Sequence, residues 1–531
     1  MAQTTEWWSE IPDRSQPRIW CFSDRMTYER GDRVNLHMSG TCADYTVKVT
    51  RFGASTHVLY SGSFDNCRWS DVPANAYEIG CDWPVLCSFV IPADTPAGAY
   101  IIELQGDGCP YPYHHLVFVR SSATEDMSGR LLLVAATNTY VAYNNWGGAS
   151  HYGGLGEDSA IAAPVVSTRR PWTRGTICLP PDAPRIPDFR PKHGDPIRYP
   201  HIEWAKANGY GRTYASAGWA QYEGHFVSWA EKNGLTVDVV CQETLHDDPS
   251  CLDRYPCAVF VGHDEYWTWE LRDAVDAYVE AGGNVARFAG NFMWQSRRDA
   301  ASHQQTTYKY DARSLDPLFG SDQQRFTTTV WEAREVARPG AMTFGVNATR
   351  GMYAGWGGLV AHGPRAFTVY LEDHWTLTGS GLGYGDLLGA DGLCFGYEVD
   401  GLDYIIEDGL PRPSGKEQVP DGLVIIALGL ATSIERGGPD DKLNIGDLDA
   451  VFLNDLYTEL FGEAAGAAAI RGSGAMVEFI RGAGRVVTIG SCEWISGLRG
   501  TDPAVETVTA NILSGMLRGI VNDKSPAPAA A

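Results

Sequence analysis

The 531-residue chain is 44% hydrophobic and 20% charged, which supplies apolar material for roughly two to four folded units. Asp and Glu number 65 against 42 Lys and Arg, a formal charge of −23, and there is no Lys/Arg run. Nucleic acid and anionic membrane surfaces, which require a basic face, are excluded as partners. No apolar stretch approaches the length of a membrane span. The opening "MAQTTEWWSEIPDRSQ" has neither the basic nor the apolar region of a signal peptide, so a cytoplasmic location is expected. The twelve cysteines have irregular spacings and no C-x-x-C pair. They read as free thiols, although six of them precede residue 110 and leave room there for a disulfide.

Residues 1–125 are expected to form a β-sandwich domain. Its strands are "RVNLHMSG", "YTVKVTRFG", "CSFVIP", "GAYIIELQG" and "HHLVFVR", separated by Gly, Pro, Asp and Asn. "RSSATEDMSGR" (120–130) is polar and reads as a linker. Strands and helices alternate thereafter, which predicts an α/β domain over 126–523 with a mainly parallel sheet. The strands are "RLLLVAA" (130–136), "LTVDVVC" (235–241), "CAVFVGH" (257–263), "NVARFAG" (284–290), "DGLVIIALG" (421–429) and "RVVTIGS" (485–491). Helices are expected over 218–234, 268–283, 474–484 and 501–521, the last with Pro503 in its first turn. Residues 300–400, rich in Gly, Thr and aromatics, give no clear pattern, and 524–531 ("SPAPAAA" within it) reads as a disordered tail.

Ligands of open α/β sheets bind beyond the carboxyl ends of the strands. Three such ends are chemically rich here: "TYVAYNNWGGASHYGG" (139–154), "GHDEYWTWE" (262–270) and "GNFMWQS" (290–296). If their strands are neighbours, Tyr143, Tyr152, His263, Glu265 and Asn291 converge. There is no GxSxG elbow, no HExxH and no Walker A loop, so those hydrolase and phosphate-binding classes fail. Carboxylate, phenol and imidazole remain, and phenolate with carboxylate suits a hard cation such as Fe(III). Each residue also has a plainer role open to it. The tyrosines can be packing residues with hydrogen-bonded tips. Glu265 can be a solvated acid near a helix N-terminus, His263 a hydrogen-bonded strand end, and Asn291 a turn residue.

Five segments in this order, "AYNNWGGASHY", "VFVGHDEYW", "RFAGNFMW", "FGYEVDG" and "GRVVTIGSCEW", resemble the large subunit of N,N-dimethylformamidase and its catalytic-domain relatives over about residues 130–520. The resemblance implies a glutamine-amidotransferase-like α/β fold without the cysteine nucleophile. It implies a mononuclear Fe(III) held by Tyr143, Tyr152 and Glu265, with Tyr140 as the competitor for the first place. Glu398 of "GYEVDG" would be the general base, with His263 and Asn291 positioning water or steadying an oxyanion. The implied activity is iron-dependent hydrolysis of the C–N bond of a small amide, N-alkylated amides included. A homo-oligomer, and a small partner subunit, are expected by the same analogy. His151 stands where relatives commonly have an apolar residue, and Ala289 where they have glycine. Two other readings remain: a metal-independent hydrolase using Glu265 and Glu398 as an acid/base pair, and a non-catalytic carbohydrate- or ligand-binding protein.

Overall fold

Strand alternation builds the front of the molecule. The computed structural model describes residues 10–518 except 123, 157–158, 160, 186–199, 354–364 and 433–446; the first nine residues and the tail read at 524–531 lie outside the described residues. Ile19–Ser23, Arg33–Gly40 and Val85–Val90 form one antiparallel sheet. Thr27–Tyr28, Tyr113–Val119, Gly98–Gly106, Tyr45–Phe52 and Val58–Phe64 form a second, five-stranded sheet. Side chains alternate across a strand, and the Tyr113–Val119 strand is apolar on both faces. Val117 and Val119 enter the core shared by the two front sheets, whereas Leu116 and Phe118 face the rear of the molecule and join Trp219 and Phe226 there. Phe52 stacks edge-on against Trp219 at 5.5 Å, and Arg51 pairs with Glu231 at 2.5 Å across the same junction. Each Leu or Phe buried there is worth about 1.5–3 kcal/mol.

The rear is organised by an 11-stranded sheet. One half is parallel, in the order Thr236–Cys241, Arg130–Ala135, Cys257–His263, Asn284–Gly290, Gly484–Gly490. These strands read as near-continuous apolar runs because both of their faces are covered. The helix Trp269–Glu280 buries Leu271, Val275, Tyr278 and Val279, and begins where the Thr268 hydroxyl accepts the Leu271 amide at 3.2 Å. The helix Pro503–Arg518 begins after Asp502, whose carboxylate accepts the Val505 amide at 3.1 Å.

The other half overturns the expected architecture. Arg471–Arg481, Val424–Thr432, Asn347–Tyr353 and Glu398–Gly401 continue the sheet antiparallel, so it is mixed. Strand residues outnumber helical ones, and a mainly parallel glutamine-amidotransferase-like α/β domain is not what the structure shows. The change of direction lies in the segment 474–484, which the sequence reading made a helix. It is the end of a strand and its turn: Arg481 pairs with Gly484 around Gly482-Ala483, and the hairpin returns as Gly484–Gly490. A short apolar run buried on both faces has the same periodicity signature in either state. The two-residue glycine turn is the hairpin signal.

Among the described residues no helix is long and apolar enough to cross a membrane. All twelve cysteines are free.

His115, 3% exposed within the front sandwich, lies 2.8 Å from the Ser23 hydroxyl, and burial holds its pKa down to about 3. The unfolded chain gains this proton near pH 6.5 and the folded chain does not. Stability contributed by neutral His115 is therefore complete above pH 6.5 and drains away as pH falls towards 3. Denaturant titrations at pH 6 and pH 4 are expected to show a shallower pH dependence for His115→Gln. The difference is up to one proton, about 1.4 kcal/mol per pH unit.

Candidate active site

The three strands that carry the chemically rich ends are adjacent, with Arg130–Ala135 next to Cys257–His263 and that next to Asn284–Gly290. Their carboxyl ends therefore open on one place. The first runs into the helix Thr137–Tyr143, which presents Tyr143 as its last residue. The chain then doubles back through a Ser150–Gly153 bridge, which brings Tyr152 beside Tyr143 with ring centroids 4.0 Å apart. Glu265 follows the second strand, and its amide is held by the Thr139 hydroxyl at 2.9 Å. Asn291 follows the third with a left-handed φ of 62°.

The strand Glu398–Gly401 lies across these ends. Its Val399 bridges to Ser491, and a Cβ on Gly290 would come within 2.6 Å of the Glu398 carbonyl oxygen, so only glycine permits the crossing there. Asp400 fixes it from below. Its carboxylate accepts the Asn291 amide at 2.6 Å and pairs with Arg287 at 2.8 Å, both ionic side chains fully buried.

The result is a cavity of about 220 Å³ lined by Tyr143, Tyr152, Glu265, Asn291 and Glu398, among others. The Tyr152 hydroxyl is 2.7 Å from both carboxylate oxygens of Glu265 and 2.7 Å from the Tyr266 hydroxyl. The Trp294 indole donates to Glu265 at 2.8 Å. Behind this wall His263 Nδ1 donates to the Ser216 carbonyl at 2.7 Å. Its Nε2 faces Glu398 at 2.9 Å, Glu265 at 3.2 Å and the Asn291 amide at 3.1 Å. A larger groove of 760 Å³ on the front sandwich, beside Asp44, Phe64 and Asp107, is open and has none of this convergence.

The chain matches the family described as N,N-dimethylformamidase beta subunit-like, C-terminal, over residues 46–507. It belongs to that family. It is 23% identical over 304 residues to the N,N-dimethylformamidase beta subunit of Paracoccus aminophilus, covering 55% of this chain and 34% of that one. It is 27% identical over 128 residues to the corresponding subunit of Alcaligenes sp, covering 24% of this chain and 15% of that one. The chain thus spans about a third or less of the length of these dimethylformamidase subunits.

All six residues singled out from the sequence meet in this family member, five on the cavity wall and His263 behind it. Tyr140 does not. It points the other way, edge-on to Trp172 at 6.1 Å, and leaves Tyr143 on the cavity. Gly147, Gly148, Gly153 and Gly154 all have positive φ and serve the turn, and none lines the cavity. His151 is a buried, neutral histidine. Its Nδ1 is 2.6 Å from the Ala163 carbonyl, and burial holds its pKa to about 3.

Sequence reasoning missed part of the wall. Lys309 lies 3.5 Å over the Tyr152 ring, while Tyr310 and Tyr353 (the latter at 2.8 Å) both donate to Asp449. Lys309 and Tyr310 belong to the stretch without a pattern, and Asp449 to a helix, Asp447–Phe461, that was not foreseen. Tyr266 and Trp294 stood inside the quoted motifs, and the available signal was their aromatic-plus-polar chemistry next to Glu265 and Asn291.

Electrostatics explains which protons the site holds. Burial, reinforced by Glu265, pushes the Tyr143 and Tyr152 phenols well above their usual range. Burial opposes charge on His263, but Glu398 and Glu265 outweigh it and raise the imidazole well above its ordinary value. Glu398 is held above the usual carboxylate range by burial. Glu265 resists the same burial because His263, Lys309 and Tyr152 favour its charged form.

Removing Asp400 tests the scaffold beneath the site. Asp400→Ala strands the Arg287 guanidinium in the core and is expected to cost about 3–5 kcal/mol in urea unfolding. Arg287→Met with Asp400→Leu should lose less, because neither charge is then buried alone and the remaining cost is that of the stranded Asn291 and Phe292 amides.

Proposed function

We propose that this chain hydrolyses the C–N bond of a small amide in the 220 Å³ cavity, using a ferric ion held by Tyr143, Tyr152 and Glu265. The observation that carries the reading is the meeting of these three oxygen donors from two separate strand ends. Tyr152 touches both oxygens of Glu265, and Tyr143 stacks on Tyr152. The donor set suits a hard, highly charged cation. Withdrawn from water beside a carboxylate, the two phenols are neutral unless a compensating positive charge is present. Such an ion supplies Lewis acidity towards a carbonyl oxygen and makes water more acidic.

The protein groups account for the rest. Glu398, with a raised proton affinity, takes the proton from attacking water. His263 is fixed by Nδ1–H donation to Ser216 and keeps Nε2 between Glu265 and Glu398, where it orients both carboxylates. Asn291, held by its backbone bond to Asp400, offers its side-chain amide to the developing oxyanion. Tyr143, Trp294, Tyr310 and Tyr353 wall off bulk water and limit the substrate to a small molecule. A small partner subunit and an oligomeric assembly belong to the same proposal, by analogy with relatives that are themselves named as subunits.

A second compact group, His263, Glu398 and Cys492, has ligand atoms within 4.8 Å of one another and offers a cation a different, softer seat. Burial and the nearby Glu398 and Asp400 push the Cys492 thiol up, which disfavours the thiolate such a seat needs.

Metal analysis and visible spectroscopy decide the matter. The purified protein is expected to hold one iron per chain with a phenolate-to-iron charge-transfer band that Tyr152→Phe weakens. Glu398→Gln should keep iron and band while kcat/KM on small amides falls by about 10²–10⁴. Metal-free, colourless protein that is still folded would sink the iron reading. Iron retained by Tyr152→Phe and Glu265→Gln but lost in Cys492→Ala would move the ion to the second seat.

A further inference from the structure

The Tyr266 hydroxyl lies 2.7 Å from that of Tyr152. Its ring is fully buried and stands behind the cavity wall without lining it. The backbone at Tyr266 is held from both sides. Its amide shares, at 3.4 Å, the Thr139 hydroxyl that also holds Glu265, and its carbonyl accepts the Asn138 side-chain amide at 3.3 Å. The short strand Tyr266–Trp267 pairs with Trp294–Gln295, and His151 stacks on the Tyr266 ring with centroids 5.8 Å apart. The same strand ends that place Glu265 therefore place this phenol.

The direction of the contact follows from its neighbours. The Tyr152 hydroxyl is 2.7 Å from both Glu265 oxygens, and a carboxylate has no hydrogen to give. The single Tyr152 proton is committed to Glu265, so the bond between the two phenols uses the proton of Tyr266. On its other side Tyr266 meets the Lys309 ammonium at 3.4 Å, a group that only donates. Lys309, Tyr266, Tyr152 and Glu265 thus form a chain of donors that runs one way. Packing against His151 requires the ring of Tyr266 and makes no use of its hydroxyl.

We propose, on the strength of the ferric reading, that Tyr266 is a positioning residue that acts through Tyr152: it aims the Tyr152 oxygen towards the ion and draws charge off it. As a phenolate, Tyr152 has no proton left and its oxygen accepts from Tyr266. Such a charge-assisted bond is roughly twice as strong as a neutral one, so it tightens as the phenol ionises. Partners of this kind orient a ligand atom and tune its bond to the metal. A phenolate that shares its charge with Tyr266 donates less to the ion, which keeps more of its Lewis acidity for a carbonyl oxygen.

The test is visible spectroscopy with iron analysis on the full-length protein, comparing wild type, Tyr266→Phe, Tyr152→Phe and the double variant. Tyr266→Phe retains the ring against His151 and is expected to hold as much iron as wild type. Its charge-transfer band should move to longer wavelength, because the donated proton no longer stabilises the phenolate electrons. In the Tyr152→Phe background the remaining band, from Tyr143, should stay in place when Tyr266 is also replaced. A band that Tyr266→Phe leaves unmoved, whatever its melting temperature, overturns the assignment and reduces Tyr266 to packing. An equal shift in the Tyr152→Phe background overturns it too, since Tyr266 then acts through another group. Either result leaves the ferric site standing, whereas wild-type protein with neither iron nor band sinks both.

Discussion

The carboxylate of Asp400 is the constraint on which the rest of the site depends. It receives the Arg287 guanidinium at 2.8 Å, the Asn291 amide at 2.6 Å and the Phe292 amide at 3.3 Å, all out of water. Burying a charge pair is expensive, and further hydrogen bonds to its members offset that cost. Here the two backbone amides satisfy the Asp400 carboxylate, while Arg287 Nη1 also donates to the Ala289 carbonyl at 2.8 Å, and the amides join elements 109 and 108 residues apart. The strand that carries Glu398 is bound to the loop that carries Asn291. One interaction thus sets the spacing between Glu398, Asn291 and, through the imidazole, Glu265.

That spacing places two carboxylates and an imidazole in a water-poor wall, and their charges have to be reconciled. His263 does this by standing between Glu265 and Glu398 while its other nitrogen is pinned by a carbonyl group. The phenols of Tyr143 and Tyr152 carry the matching tension on the other side, since burial beside Glu265 disfavours their ionised forms. The proposed cation would sit on the side of the phenols, with the fixed imidazole behind it. Aromatic residues line much of the 220 Å³ cavity and keep it small. Lys309, bent into a left-handed backbone conformation at φ 52°, lays a buried amine 3.5 Å over the Tyr152 ring.

The front sandwich is tied to this machinery by more than a covalent link. Because the Tyr113–Val119 strand is apolar on both faces, the same backbone serves two cores, and Trp219 is gripped by Phe52 and Phe118. The helix bearing Tyr143 packs above this junction through Tyr140 and Trp172.

What the sequence determined by itself was local. The strands Arg33–Gly40, Gly98–Gly106, Cys257–His263 and Asn284–Gly290 were legible residue for residue, because alternation or a bounded β-rich run marks a strand without help from the rest of the chain. The chemistry of Tyr143, Tyr152, Glu265, His263 and Asn291 was visible as polar and aromatic groups at strand ends, and the family resemblance picked out Glu398. Tertiary structure decided what local pattern cannot encode. It made 474–484 strand where a buried apolar run is ambiguous, and with that hairpin turned a parallel sheet into a mixed one. It put Tyr143 on the cavity wall and packed Tyr140 edge-on against Trp172, although residues three apart share one side of a helix, because the neighbours at the helix end decide which of them meets the cavity. It brought Lys309, Tyr310, Tyr353 and Asp449 to the wall from regions with no pattern of their own. Strand identity is a property of a few consecutive residues, whereas strand order and cavity walls are properties of contacts between residues far apart in the chain.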